Sequence, residues 1–248
     1  MGNFNLIKLS ATESTNDYLK KRRSQGNCQD GDLIWAKDQT AGRGQGDKSW
    51  KSTAGKSLTF SIYRAFDTNT PQHPFEISSA VTHAMLQGLH QLGIPDLSVK
   101  WPNDILSCDQ KIGGILIENT FKSSQLKETI VGIGLNINQE NFQSLPNAAS
   151  LFSVTQKKWN LETVLEILLA CLEKELFCNF LDVADSNLAE FNANLWRRDT
   201  SCTFDGPRGN FQAIPLGVTR EGKLLLFDLE KKKEEEIDLT QARMCYDK

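Results

Sequence analysis

Several things are scarce or missing in this sequence. No apolar run approaches the roughly 18 residues of a membrane span, so there is no candidate membrane helix to assign. The opening Met1-Gly2-Asn3-Phe4-Asn5 lacks the apolar core of a secretory signal, and Leu6 stands where N-myristoylation after Gly2 wants Ser or Thr. Six cysteines are scattered at 28, 108, 171, 178, 202 and 245 without Cys-x-x-Cys spacing. That argues against a zinc or disulfide framework and for thiols in a reducing cytoplasm. Histidine is limited to His73, His83 and His90, none at metal spacing with a cysteine, so no metal is assigned to side chains. There is no excess of cations: 28 Lys and Arg face 31 Asp and Glu, for a net charge of −3. This excludes a broadly basic nucleic-acid-binding surface. Internal repeats and low-complexity linkers are also missing.

What is present is enough chain for a packed core. At 248 residues and 39% hydrophobic content, one large domain with a small appendage is expected. Strands are expected at 5–9, 32–37 and 57–64, the last alternating with period two. A helix begins near the cap-rich Ser14-Thr15-Asn16 and runs to about Ser24. A polar loop over 68–73 leads to a helix opened by Pro74 and ended by Gly93. Lys100-Trp101-Pro102-Asn103-Asp104 is a turn crowding a cation, aromatic, amide and carboxylate around a proline. Two apolar strands follow, one with Gly113-Gly114, the other with two glycines and two asparagines (Gly132, Gly134, Asn136, Asn138). Glycines inside strands mark close approach of a ligand or a second backbone. After an irregular stretch over 141–160, apolar spacing predicts one long helix over 161–180, with Cys171 and Cys178 on one face, and another over about 184–196. Beyond Arg198 the texture changes to short strands and turns, which suggests a small separate β-barrel.

The most informative stretch is the loop from Gln39 to Trp50. It carries Gly42, Gly44 and Gly46 with Arg43 and Lys48, and it ends in Trp50. Such a loop can present successive N–H groups to an anion, and Arg43 adds a forked cation. The spacing matches neither a Walker loop nor the dinucleotide fingerprint.

Ser14-Thr15-Asn16, the Gln39-x-x-Gly42-Arg43-Gly44 loop, Lys100-Trp101-Pro102-Asn103-Asp104, Lys111-x-Gly113-Gly114 and Gly132-x-Gly134-x-Asn136-x-Asn138 occur in that order. Together they resemble the biotin–protein ligases, also called biotin–[acetyl-CoA-carboxylase] ligases. The resemblance implies an α+β fold: a mixed sheet flanked by helices, like a class II synthetase catalytic domain, over 1–198, and an SH3-like barrel over 199–248. It also implies biotin and ATP as substrates, with Mg²⁺ held through the phosphates. The first step makes biotinyl-5′-AMP. The second transfers biotin to a lysine of a biotin carboxyl carrier protein of a biotin-dependent carboxylase.

Carried over residue by residue, Arg43, Lys111, Lys100 and Asp104 are the expected catalytic groups. Ser14, Thr15, Asn16, Gln39, Gly42, Gly44, Gln45, Gly113 and Gly114 join Arg43 and Lys111 around biotin. Trp50, Asn103 and Asn136 join Arg43, Gln45 and Lys111 around the nucleotide. Asp104 would receive or orient the incoming amine. Two departures from the family pattern stand out. Gln45 replaces a second arginine common in such loops, which predicts leakier release of the adenylate. The motifs also begin by Thr12, leaving no room for the helix-turn-helix domain of some relatives, so sequence-specific DNA binding is not expected. Either a monomer or a homodimer is compatible with the sequence. Two other readings compete: a lipoate–protein ligase or octanoyltransferase, and a non-catalytic biotin or nucleotide sensor.

Overall fold

The computed structural model describes residues 2–67, 70–142, 145–207 and 209–246. The elements in order are β1 (Asn5–Leu9), α1 (Thr15–Ser24), β2 (Asp32–Ala36), β3 (Ser57–Ala65), α2 (Pro74–Gln91), β4 (Leu97–Lys100), β5 (Asp104–Ser107), β6 (Gln110–Lys122), β7 (Gln125–Asn136), α3 (Leu151–Thr155), α4 (Leu161–Leu176) and α5 (Phe180–Ala193). Five strands end the chain: β8 (Cys202–Gly206), β9 (Gly209–Val218), β10 (Leu224–Asp228), β11 (Lys233–Ile237) and β12 (Arg243–Met244). Of the expected loop 68–73, Thr68 and Asn69 lie outside the described residues. So do Gln143 and Ser144 of the irregular stretch 141–160, which also contains the short α3.

The first seven strands form one mixed sheet in the order β1-β2-β3-β7-β6-β5-β4, with β1 and β2 parallel and every other pair antiparallel. Its strands alternate as period two requires. Phe60, Ile62, Val131, Ile133 and Leu135 point to one side, where α2 and α4 bury their apolar stripes against them. The two helices come close where α2 carries Gly88; a Cβ there would stand 2.8 Å from Leu168 Cδ2. On the opposite side, α1 lays Leu19 against Ile34, Tyr63 and Ile130.

The two helices expected over 161–180 and about 184–196 are present as α4 and α5, with earlier bounds. α4 ends at Leu176, and Asn179 in extended conformation (φ −78°, ψ 112°) starts α5. Cys178 therefore lies in the connection rather than below Cys171 on one helix face. The C-terminal strands form an antiparallel sheet in the order β11-β10-β9-β8-β12. Its end strands, β11 and β12, do not pair with each other among the described residues, so pairing does not close the expected barrel. This sheet shares the main core through Phe204, Leu224 and Leu226. It is tied to the larger sheet by Trp101 Nε1, which donates to the Gly222 carbonyl at 2.9 Å. Asn192 of α5 clasps Val218, accepting from its N–H at 2.7 Å and donating to its carbonyl at 3.2 Å. Among the described residues no helix is long and apolar enough to cross a membrane.

Candidate functional site

The α1 side of the large sheet has a floor of small side chains. Directly paired residues of antiparallel strands share a face. The register therefore places Gly114, Gly134, Thr59 and Ala36 in one row, and Leu116, Gly132, Ser61 and Ile34 in the next. A third row, Glu118, Ile130 and Tyr63, lies partly under α1. In β7 the glycines and Asn136 face this floor while Val131, Ile133 and Leu135 face the core, which is the physical content of the Gly-x-Gly-x-Asn pattern. β6 reaches the same face by an irregularity. Leu106 pairs with Lys111 but Ile105 with Gly113, so Ile112 is an extra residue that shifts the alternation. The Lys111 ammonium consequently lies over the floor, 3.5 Å from where a Gly114 Cβ would be. Gly113 turns the other way, and a Cβ on it would meet Leu135 Cδ1 at 3.0 Å.

The start of α1 closes one end of this trough with buried polar groups. Ser14 caps the helix, its side chain accepting from Asp17 N. Thr15 donates to Gln39 Oε1 from both its N–H (2.8 Å) and its hydroxyl (3.0 Å). Ser61 Oγ lies 2.6 Å from Thr15 Oγ1 and 2.5 Å from Asn16 Oδ1. Thr15 has already given its proton to Gln39, so one Ser61 proton serves two acceptors. Asn16 Nδ2 donates to Glu118 Oε2 at 2.8 Å. Ser14, Thr15 and Asn16 are all buried. The result is a rigid hydrogen-bonding end wall made from residues far apart in sequence.

Charge collects on both sides of the floor. Arg43 Nη2 reaches both Glu118 oxygens at 2.5 Å, and its Nε lies 3.1 Å from Asp17 Oδ2. Lys20 adds a bond to Glu118 Oε1 at 2.7 Å. Burial alone would raise the Glu118 carboxyl, but the Lys20, Asn16 and Arg43 hydrogen bonds together outweigh it and hold the group below its ordinary value. The glycine loop folds back on itself: Gly44 N donates to Lys48 O at 2.7 Å and Trp50 N to Gly42 O at 2.8 Å. That fold lays the Trp50 indole on the glycine floor. A Cβ on Gly134 would overlap Trp50 Cε2, and one on Gly114 would touch its Cζ3 at 3.5 Å.

On the far side Lys111 Nζ binds Asp104 Oδ1 at 2.5 Å and lies 5.8 Å from the Trp50 ring. Lys100 is buried beside this pair. Burial depresses its ammonium, nearby Lys48 and Lys111 push the same way, and Asp104 opposes them. Asn103 is engaged with β6, its Nδ2 donating to the Ile115 carbonyl at 2.6 Å. Asn136 donates Nδ2 to Ala149 O at 2.9 Å, and its buried Oδ1 has no protein partner, leaving an acceptor in the trough row of Ser57. Gln45 is exposed at the loop tip.

The structure thus brings Ser14, Thr15, Asn16, Gln39, Gly42, Arg43, Trp50, Gly114, Lys111, Asp104 and Lys100 to one face. It sets Gly113 on the other face and commits the Asn103 amide to a backbone carbonyl. Sequence reading missed Glu118, Asp17, Lys20 and Ser61. Glu118 was within reach, because Gly114, Leu116 and Glu118 share a face by simple alternation. Ser61 and Lys20 gave no signal apart from their strand and helix positions.

Residues 9–136 match the model of the biotin/lipoate A/B protein ligase family. The bifunctional ligase/repressor BirA of Bacillus subtilis is 29% identical over 230 residues, covering 88% of this chain and 67% of that protein. The biotin–[acetyl-CoA-carboxylase] ligase of Mycobacterium tuberculosis is 32% identical over 150 residues, 59% of this chain and 54% of that one. In fold, the chain superposes on the biotin protein ligase of Aquifex aeolicus solved with biotin and ATP, with a TM-score of 0.78, 24% identity and coverage of 97% and 98%. The chain spans 67% of the length of BirA of Bacillus spizizenii and 39% of that of BirA of Escherichia coli.

Proposed function

The chain belongs to the biotin/lipoate A/B protein ligase family, and we propose that within it this protein is a biotin–protein ligase acting on a biotin carboxyl carrier protein in the cytoplasm. One observation carries the reading. Arg43 and Lys111, from a loop and a hairpin strand, flank the same small-residue floor, at whose end stands a wall of buried amide and hydroxyl groups. A ligand with a polar ring, a thin apolar tail and a terminal carboxylate matches this layout. The ring meets Thr15, Asn16 and Gln39, the tail lies over Gly114 and Gly134, and the carboxylate comes between the cations.

A carboxylate and a triphosphate repel each other, so fixed cations must hold them together. One carboxylate oxygen attacks the α-phosphorus, the bond to the β-phosphate oxygen breaks, and pyrophosphate departs with the electron pair. For this, Arg43 exchanges Glu118 and Asp17 for the new anions. Glu118 keeps Asn16 and Lys20 as partners, which lowers the cost of the exchange. The Trp50 indole must lift from the floor as ligand enters, becoming available to stack on a base. Mg²⁺ would neutralise the triphosphate and be held chiefly by phosphate oxygens.

The test is mass spectrometry of a recombinant carrier domain after incubation with the protein, biotin and MgATP. Addition of one biotinyl group is expected. An unmodified carrier together with no pyrophosphate release would refute the proposal. The family model also covers lipoate ligases, and a thermal-shift comparison of biotin with lipoate separates that reading. A biotin-specific shift without pyrophosphate would instead identify a sensor.

A further inference from the structure

Near its C-terminal end the chain returns to the trough. Cys245 N donates to Thr203 O at 2.8 Å, fixing the segment after β12 along β8. Tyr246 then packs on Trp196, ring centroids 5.5 Å apart. Trp196 is itself pinned, with its N–H on Val99 O at 2.8 Å and its indole Nε1 donating to Asp109 Oδ1 at 2.7 Å. From this seat the Tyr246 ring covers the Lys100 ammonium, with Nζ 4.6 Å from the centroid. Its hydroxyl donates to Asp104 Oδ2 at 3.4 Å, while Lys111 holds the other oxygen, Oδ1, at 2.5 Å. Asp104 is thus gripped from two sides, by β6 and by the end of the C-terminal sheet. Burial first, and the Asp104 charge second, push the Tyr246 phenol up. It therefore stays protonated near neutral pH and faces Asp104 only as a donor. A long hydrogen bond in a ligand-free site commonly tightens once substrate is bound.

We propose that Tyr246 is a positioning residue of the transfer step, orienting Asp104 toward the amine of the acceptor lysine. The proposal rests on the ligase reading. In that step the acceptor ammonium gives a proton to an Asp104 oxygen lone pair left open by Lys111 and Tyr246. The freed nitrogen attacks the acyl carbon of the mixed anhydride and the C–N bond forms. The nitrogen sheds its second proton to water, and the C–O bond to the phosphate breaks. AMP leaves with that electron pair, and Asp104 passes its proton to water. Adenylation relies on the other carboxylate oxygen, Oδ1, through its contact with Lys111 at 2.5 Å, and loss of the hydroxyl at Oδ2 leaves that contact in place. Tyr246 therefore acts on the second half-reaction and not on the first.

The test uses the full chain and its Tyr246→Phe variant, which keeps the ring over Lys100 and removes only the hydroxyl. Two rates are measured: first-turnover pyrophosphate release from biotin and MgATP, and single-turnover transfer from preformed adenylate to a carrier domain. Expected are pyrophosphate release within about twofold of wild type and transfer slowed about three- to tenfold, the loss that one ordinary hydrogen bond brings, in keeping with the 3.4 Å length of this one. The KM for carrier and the melting temperature should stay unchanged. In an Asp104→Asn background, Tyr246→Phe should add less than about twofold, because the hydroxyl acts through that carboxylate. Transfer at the wild-type rate, equal slowing of both half-reactions, or additive effects in the double variant would each overturn the proposal. Failure of the wild-type protein to release pyrophosphate would sink the ligase reading itself, a result distinct from any of these.

Discussion

Replacing Gly132 with alanine tests the trough directly. The added methyl would overlap Asn16 Oδ1 and stand 3.0 Å from its Cγ and 3.1 Å from its Nδ2. Ordinary contact between such atoms is about 3.5–4.0 Å, so the carboxamide must retreat. Asn16 is buried and its amide makes three bonds that fix its place, with Ser61 at 2.5 Å, Glu118 at 2.8 Å and the Leu116 carbonyl at 3.4 Å. Retreat strains or breaks them, and a buried polar group left unmet costs about 1–3 kcal/mol. The fold absorbs much of this. The amide is the rotatable end of its side chain, and a Gly→Ala change returns about 0.4–1 kcal/mol through the unfolded chain. A ligand that needs the amide in place has no such relief. Gly132→Ala should therefore shift the melting temperature by only a few degrees and weaken biotin binding about ten- to hundredfold. Isothermal titration with biotin, and the biotin KM in a pyrophosphate-release assay, measure the effect. Gly113→Ala is the control. Its methyl faces Leu135 in the core, so it should lower stability while leaving the biotin affinity of the folded protein intact. Wild-type biotin affinity in Gly132→Ala would show that the ligand does not lie against Asn16, and the trough assignment would fall.

Other consequences can be checked separately. Arg43→Ala and Lys111→Ala should each slow adenylation by roughly 10²-fold or more, as loss of a charge-stabilising donor does; near-normal pyrophosphate release in either would misplace the reacting centre. Burial raises the Glu118 carboxyl, but its Lys20, Asn16 and Arg43 hydrogen bonds outweigh burial and hold it below its ordinary value of about 4.5. The folded state therefore binds fewer protons than the unfolded one, and the stabilisation is full above about pH 4.5 and lost as pH falls through the folded value. Melting temperature against pH should drop less steeply over that acid window in Glu118→Gln than in wild type, and parallel curves would contradict the linkage. Gln45→Arg should slow dissociation of biotinyl-adenylate, measured by stopped-flow chase, and an unchanged off-rate would show that the loop tip does not retain the intermediate. Gly222→Ala should be strongly destabilising in thermal melts, because φ is +85° there and the methyl would come within 2.7 Å of Phe75. A wild-type melt would mean that the C-terminal sheet does not depend on that turn.

Local signals carried much of the fold. Period-two alternation located β3, the start of α1 showed in Ser14-Thr15-Asn16, and Pro74 opened α2 where expected. Apolar spacing found α4 but ran past Leu176, because Phe180 continues the helical period although Asn179 leaves the helical conformation. The short strands after Arg198 were legible as strands. Whether they close was not, since closure depends on how distant edge strands meet.

The same division holds at the site. Sequence by itself supplied the chemistry: a glycine loop with an arginine, a Lys-Trp-Pro-Asn-Asp turn and glycine-bearing strands, each carried by residue type and short spacing. Which way those groups face was decided only by tertiary structure. The parity of β6 turns on one extra residue, Ile112, that shows only when β5 is laid beside it. That shift sends Lys111 to the trough and Gly113 to the core. Glu118 meets Arg43 across 75 residues of chain, and Tyr246 meets Asp104 across 142. No local preference encodes such contacts; they follow from sheet register and from the packing of one sheet's edge against another.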